Sequence, residues 1–160
     1  MPLARSGETG FDTLNGVSMI LTEQGVVDAV KAWLEGNGFG DVAAVDVGRP
    51  GYDIQGCRRS TGEHWLIEAK GGSHSGDDNS TRAWMGVGAA FLMTAGWRYQ
   101  PDLAGKRFAI AVPDSRWFNV HVGRIAEALR VLGISVFSVS ETGQVTFIEN
   151  HPFQDGGLET

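Results

Sequence analysis

Cysteine is almost absent from this 160-residue chain: Cys57 stands alone. One thiol excludes an internal disulfide and suits a reducing cytoplasm, so the chain is expected to be cytoplasmic. Long apolar runs are missing too. The longest, around Ala83 to Ala95, is broken by small residues and falls short of the ~20 residues a membrane helix needs. No apolar signal-peptide core follows Met1, so no membrane partner is expected. Positive charge is scarce: 13 Lys and Arg face 19 Asp and Glu, for a net charge of −6. That balance argues against an all-over basic footprint for nucleic acid. It is uneven, however. No Lys or Arg follows Arg130, whereas Arg49, Arg58, Arg59, Lys70, Arg82, Arg98, Lys106, Arg107 and Arg116 crowd the middle of the chain. A local basic rim with an acidic far side fits this distribution. Internal repeats and low-complexity tracts are also lacking.

The chain is long enough, at 42% hydrophobic residues, to bury one core without staples. Residues 1–17 are polar and rich in Gly, Ser and Thr and read as a flexible arm. Residues 18–150 read as one domain and 151–160 as a flexible tail. Thr22 is placed to cap a helix over Glu23 to Leu34, with Val26, Val27, Val30, Trp33 and Leu34 at helical spacing and Gly36 and Gly38 beyond it. Glu23 falls on the inward stripe of that helix, which is odd for a plain amphipathic segment. An acid complementing the helix dipole is the equal alternative.

A second helix is expected from about Thr81 to Ala95, capped from Asp77 to Ser80, with Trp84, Val87 and Phe91 spaced for burial. Arg107 to Val112 reads as a buried strand. Pro113-Asp114-Ser115 then opens a helix carrying Val122, Ile125, Leu129 and Leu132 and ending at Gly133. Ile134 to Val139 and Val145 to Ile148 read as strands. The order α-β-β-β-α-β-α-β-β implies an α/β fold, a mixed sheet with helices on both faces.

The chemistry concentrates between Pro50 and Lys70. Pro50-Gly51-Tyr52-Asp53-Ile54 precedes a hairpin and then Trp65-Leu66-Ile67-Glu68-Ala69-Lys70. Side chains alternate along a strand, so Glu68 and Lys70 share one face while Ile67 and Ala69 take the other. Asp53 and Gln55 share a face of the preceding strand, with Tyr52 and Ile54 opposite. The turn is Arg59-Ser60-Thr61-Gly62. A four-residue loop pairs Arg58 with Glu63 and sets Asp53 opposite Glu68. A two-residue Thr61-Gly62 turn sets Asp53 opposite Lys70 instead. Either register gathers all three side chains on one face, whereas a three-residue loop without a bulge turns Asp53 away.

This pattern resembles the PD-(D/E)xK nuclease superfamily, with its restriction-endonuclease-like fold, in particular Mrr-like and Holliday-junction-resolvase-like members. The resemblance rests on Pro50-Gly51-Tyr52-Asp53 and Glu68-Ala69-Lys70, departs from the literal motif by two residues between Pro50 and Asp53, and spans roughly Leu21 to Ile148. It implies a Mg2+-dependent endonuclease, with Mn2+ able to substitute, acting on nucleic acid and most naturally on DNA. Asp53 and Glu68 would hold the cation, with the Ala69 carbonyl as the ligand the family adds. Glu23 matches the acid that resolvase-like members send to the metal from their first helix. Magnesium favours hard oxygen ligands and keeps several waters. Lys70 would orient a water and stabilise charge growing on the phosphate.

Other candidates are subsidiary. Arg49, Arg58 and Arg82 could meet a nucleic-acid backbone, and His74, in the loop after Lys70, could reach a phosphate. Gly71-Gly72-Ser73-His74-Ser75-Gly76 is glycine-rich but lacks the Gly-Lys-Ser/Thr ending of a P-loop. Trp97-Arg98-Tyr99 could stack on bases or anchor its loop. Cutting both strands of a duplex favours a homodimer, for which the final strand's edge, Trp117 and Phe118 offer material, with burial in the core the commoner fate of those two aromatics. Two alternatives stand beside the nuclease: an inactive subunit of the same fold serving assembly or regulation, and an αβ ligand- or partner-binding domain whose acids are coincidental.

Overall fold

The computed structural model describes residues 20–45, 51–72 and 77–152. Thr22 caps the first helix, α1 (Glu23–Gly36), its hydroxyl accepting from the Gly25 amide at 3.2 Å. Val26, Val27, Val30 and Leu34 form the buried stripe. Asn37 closes the helix and Gly38, at φ 82°, turns the chain into β1 (Phe39–Ala44). An irregularity between Gly40 and Ala43, with Asp41 at φ 51°, bends that edge strand. β2 (Ile54–Arg58) and β3 (Glu63–Ala69) follow as a hairpin.

Helix α2 (Ser80–Arg98) takes its N-cap from Asn79, whose side chain accepts from the Arg82 amide. Its neighbour Asp78 serves a different helix, accepting from Ser115 Oγ at 3.0 Å and the Trp117 amide at 3.3 Å. A single 3-10 turn (Pro101–Leu103) leads into β4 (Arg107–Pro113). The third helix expected from the sequence is two pieces, α3 (Arg116–Arg124) and α4 (Ala126–Leu132). They break at Ile125, whose φ −109° and ψ 7° leave the helical region, and Gly133, at φ 66°, ends α4. β5 (Ile134–Val139) and β6 (Val145–Ile148) complete the fold.

The result is a mixed α/β fold with one six-stranded sheet in the order β1-β2-β3-β4-β5-β6. β3, β4 and β5 run parallel, and the outer pairs are antiparallel. Alternation along β4 divides the core. Ala109 and Ala111 pack with α1, while Ile110 and Val112 pack with α2, α3 and α4. The sheet curls around α1. Trp33 meets Phe39 of one edge at 6.4 Å and Phe147 of the other at 5.3 Å, and both of those rings also touch Trp65.

Three local expectations are corrected. Trp84, expected to be buried, is 52% exposed, because the buried row of α2 is Ala83, Val87, Ala90, Thr94 and Trp97. Phe118, offered as interface material, is core at 1% exposure, packed with Ala83, Val87 and Val112. Tyr52 does not share the face of Ile54. Strand pairing begins at Ile54, and Gly51, at φ 121°, turns the chain before it. Tyr52 therefore packs with Leu66 and Trp97 and donates to Gln55 Oε1. The segments read as the N-terminal arm and most of the C-terminal tail lie outside the described residues.

Candidate active site

The hairpin register decides whether the acids meet. Arg58 pairs with Glu63 and Ile54 with Ile67, the register of a four-residue loop, closed by Gly62 at φ 72°. Asp53 lies just before the paired residues, tied to β3 at Ile67 and Ala69 on either side of Glu68. Its backbone is held on both sides: its amide donates to Ile67 O at 3.0 Å and its carbonyl accepts from the Val45 amide at 2.8 Å. Its side chain is pinned as well, with Oδ2 accepting from the Ala69 amide at 2.7 Å. Asp53 is thus 8% exposed and rigidly placed at the carboxyl end of β3.

Glu68 and Lys70 come from the same edge. Glu68 sits in β3, flanked by the parallel β4, and is 4% exposed. Lys70 lies one residue past the strand, its amide donating to Ala111 O of β4 at 2.9 Å. Its ammonium donates to Glu68 Oε1 at 2.6 Å. Its stem runs against Gly86 of α2, where a methyl group would stand 3.5 Å from the Lys70 Cβ. The second oxygen, Glu68 Oε2, is buried and has no hydrogen-bond partner among the described residues. A buried carboxylate oxygen without a partner is rare and needs a physical account.

Glu23 arrives from the opposite face of the sheet, over its end. The Gly72 amide donates to Leu21 O at 2.7 Å, and Thr22 and Gly72 form an isolated parallel bridge. This crossing requires glycine. A Cβ on Gly71 would fall 2.0 Å from the Glu23 amide nitrogen, and one on Gly72 would fall 2.3 Å from Ile20. The Gly71-Gly72 pair therefore has a structural reason that its P-loop-like look concealed. It lets α1 begin beside Lys70 and brings Glu23 to the site.

The four groups feel one another. Burial raises the Glu23 pKa above its ordinary value, Lys70 opposes the rise and Asp53 adds to it. Burial likewise raises Glu68, against the hydrogen bond and charge of Lys70, with Asp53 and Glu23 pushing the same way as burial. Burial acts to lower Lys70, but Glu68, Glu23 and Asp53 outweigh it and the ammonium is held above its ordinary range. Three carboxyl groups around one ammonium leave an excess of negative charge in a half-dry setting, an arrangement that favours a bound cation.

Among the described residues, no group of three or more His, Cys, Asp and Glu side chains is drawn close enough to hold a metal ion. Asp53, Glu68 and Glu23 therefore do not close into a three-carboxylate group, although Glu23 feels the charges of both Lys70 and Asp53. Two carboxylates with waters and substrate oxygens are nonetheless how magnesium is usually held, rather than in an all-protein cage. The partnerless Glu68 Oε2 is the atom that fits such an ion. Ala69, whose amide Asp53 engages, is fully buried between them.

A cleft of about 680 Å³ opens beside Lys70, lined by Gly71, Asp77, Asn79, Thr81, Arg82, Met85 and Gly86. Arg82, in the first turn of α2, is exposed at its rim. Arg58 is not brought to the site. It lies on the α1 face at the far end of β2, where it donates to both oxygens of Glu149 at 2.7 and 3.0 Å and lies over Phe39 and Trp65. Arg49 and His74 lie outside the described residues, as does Pro50. The sequence did not single out His121, which is 4% exposed near the start of α2 and within 3.2 Å of Ser80 Oγ. An i, i+3 pairing with Arg124 was the available signal.

No helix among the described residues is long and apolar enough to cross a membrane. Comparison of the chain with protein-family models finds no match, and comparison with curated proteins finds none either.

Proposed function

We propose that this chain is a metal-dependent nuclease that hydrolyses phosphodiester bonds, with DNA as the favoured substrate. The observation that carries the reading is the buried, partnerless Glu68 Oε2 beside Asp53 and Lys70, at the carboxyl end of a central parallel strand and next to an open cleft. Buried charges cost folding free energy, and clusters of perturbed ionisable groups beside a cleft are candidates for functional sites. The carboxyl ends of parallel strands are also where open α/β sheets bind ligands.

Asp53 and Glu68 would hold a magnesium or manganese ion. When bound, the ion polarises the scissile phosphate and acidifies a water. Lys70 then supplies positive charge where the phosphate becomes more negative, and its ammonium, released from Glu68 Oε1, is free to donate to the attacking water or a phosphate oxygen. Glu23 adds negative charge that strengthens the hold on a cation. Arg82 at the rim meets the substrate backbone, a local contact on a chain that is acidic overall.

The test is magnesium- or manganese-dependent cleavage of plasmid DNA by the wild type, lost in Lys70→Ala. A wild type that cuts neither DNA nor RNA with either metal would overturn the reading. A second reading, a nuclease-fold subunit without activity, is favoured by one observation: Lys70 is already committed to Glu68 at 2.6 Å. Calcium or manganese binding without cleavage would select it.

A further inference from the structure

Helix α2 carries no charged side chain between Arg82 and Arg98, and Thr94 is the one hydroxyl in that stretch. Thr94 turns inward, donating to Ala90 O at 2.8 Å. The outer row, opposite the buried one, reads Met85, Ala89, Leu92, Gly96 and Tyr99, spaced alternately by four and three residues so that it stays on one side of the helix. Met85 is 67% exposed, Leu92 72% and Tyr99 78%, and Met93 flanks them. A helix lying on a sheet normally turns polar side chains outward, and a contiguous apolar face of this kind marks an interaction surface.

The sizes along the row say what covers it. Suppose a second α2 lies antiparallel across the first, with Ala89 facing the partner's Leu92. Met85 then faces the partner's Gly96. Two-fold symmetry repeats both pairs, so Met85 and Leu92 each meet a small residue, the requirement for close helix packing. A parallel pair would stack Met85 on Met85 and Leu92 on Leu92, leaving gaps at the glycines. In the antiparallel register the ends also match. Each helix N-terminus lies near a helix C-terminus. Covering the exposed parts of Met85, Leu92, Met93 and Tyr99 completely would bury at most about 1,000 Å² over the two copies, the lower bound for a specific interface.

We propose that the chain forms a two-fold homodimer through the outer face of α2, packed antiparallel with Ala89 against the partner's Leu92. This surface differs from the strand edge and the Trp117-Phe118 patch expected from the sequence. Because Met85 also lines the cleft beside Lys70, the interface would border that cleft. The proposal does not rest on the nuclease reading.

Sedimentation velocity on the full chain tests it. The wild type is expected to be a dimer at micromolar concentration, and Leu92→Asp a monomer with unchanged circular dichroism that melts somewhat lower, without the concentration dependence of the wild type. Ala89→Leu and Leu92→Ala are each expected to raise the dimer dissociation constant about tenfold. The double variant A89L/L92A, which restores one large and one small residue per contact, is expected to return to within about threefold of the wild type. A monomeric wild type overturns the proposal, whether or not it binds lipid vesicles. So does a Leu92→Asp dimer, or a double variant no tighter than the weaker single one.

Discussion

Lys70 Nζ donates to Glu68 Oε1 at 2.6 Å while the other oxygen of Glu68 is buried without a partner among the described residues. The pair is therefore half-satisfied, and its two members differ in what their removal does. Lys70→Ala leaves a carboxylate 4% exposed beside two other acids. We expect it to lose cleavage and also about 1–3 kcal/mol of stability at neutral pH, less than a fully buried pair because Lys70 itself is partly solvated. Adding Glu68→Gln should restore the stability and not the cleavage. Denaturant melts beside a plasmid-nicking assay separate the two effects. If Lys70→Ala is as stable as the wild type, the ion pair contributes no net stability.

Asp53→Asn offers a cleaner separation. Asparagine keeps a carbonyl oxygen that can accept from the Ala69 amide, so the strand tether survives while the charge is lost. Stability should stay within about 1 kcal/mol of the wild type, because removing one of several crowded acids offsets any loss at the tether. Cleavage and manganese binding should both fall steeply. Isothermal titration with manganese checks this, and unchanged binding would remove Asp53 from the site.

The pH dependence at this end of the sheet has a definite sign. Burial raises both Glu23 and Glu68 above their ordinary 4.5, so between that value and their folded pKa the folded protein holds more protons than the unfolded chain. Stability should fall as pH rises through that window and then level off. A bound cation favours the ionised carboxylates, so its binding releases protons and tightens as pH rises over the same range. Thermal melts of wild type and Glu68→Gln from pH 4 upward, with and without magnesium, show both effects. A wild type no more pH-sensitive than Glu68→Gln would contradict them.

Much of the arrangement was legible because local chemistry and global fold agree in it. The stripe Val26, Val27, Val30 and Leu34, the Gly62 turn and the period-two alternation of Ile67 and Ala69 against Glu68 each point one way. What could not be read was set by tertiary contact. The break at Ile125 falls inside an unbroken helical period, and the bend at Tyr52 comes from Gly51, not from strand alternation. Arg58 looked like a free cation near the motif, but its partner Glu149 lies 91 residues away in sequence. The outward face of α2 resembled a buried stripe because composition alone does not reveal which apolar side meets the sheet.

Gly71→Ala should act through the same geometry. A Cβ there would fall 2.0 Å from the Glu23 amide nitrogen, and the obstructing atoms are backbone, so α1 must shift. Roughly 1–3 kcal/mol of stability should be lost, as in other overpacked sites. The loss should come with weaker cation binding, because Glu23 moves away. Gly36→Ala, where the added methyl group has nothing within 4 Å, is the control and should be near neutral. If the two variants behave alike, the crossing at Gly71 is looser than described.

At the opposite end of the sheet the sign reverses. Arg58 grips Glu149 through two hydrogen bonds, and Arg107 donates to Glu63 at 2.8 Å and to Asn150 O at 2.8 Å. Both guanidinium groups lie over Trp65, at 4.9 and 4.7 Å from its ring. This cluster ties the segment after β6 to the start of β3 and β4. The hydrogen bond from Arg58 holds the Glu149 pKa below its ordinary 4.5, against burial, with the charges of Arg58 and Arg107 assisting. A depressed carboxylate contributes stability that is present above its unfolded pKa and lost as pH falls through its folded one. Glu149→Gln should therefore cost about 1–3 kcal/mol at neutral pH and progressively less below pH 4.5, where the wild type loses the same contribution. Thermal melts from pH 7 to pH 3 compare the two proteins. Curves that stay parallel across that range would show that the Arg58 contact is not what holds the acid ionised.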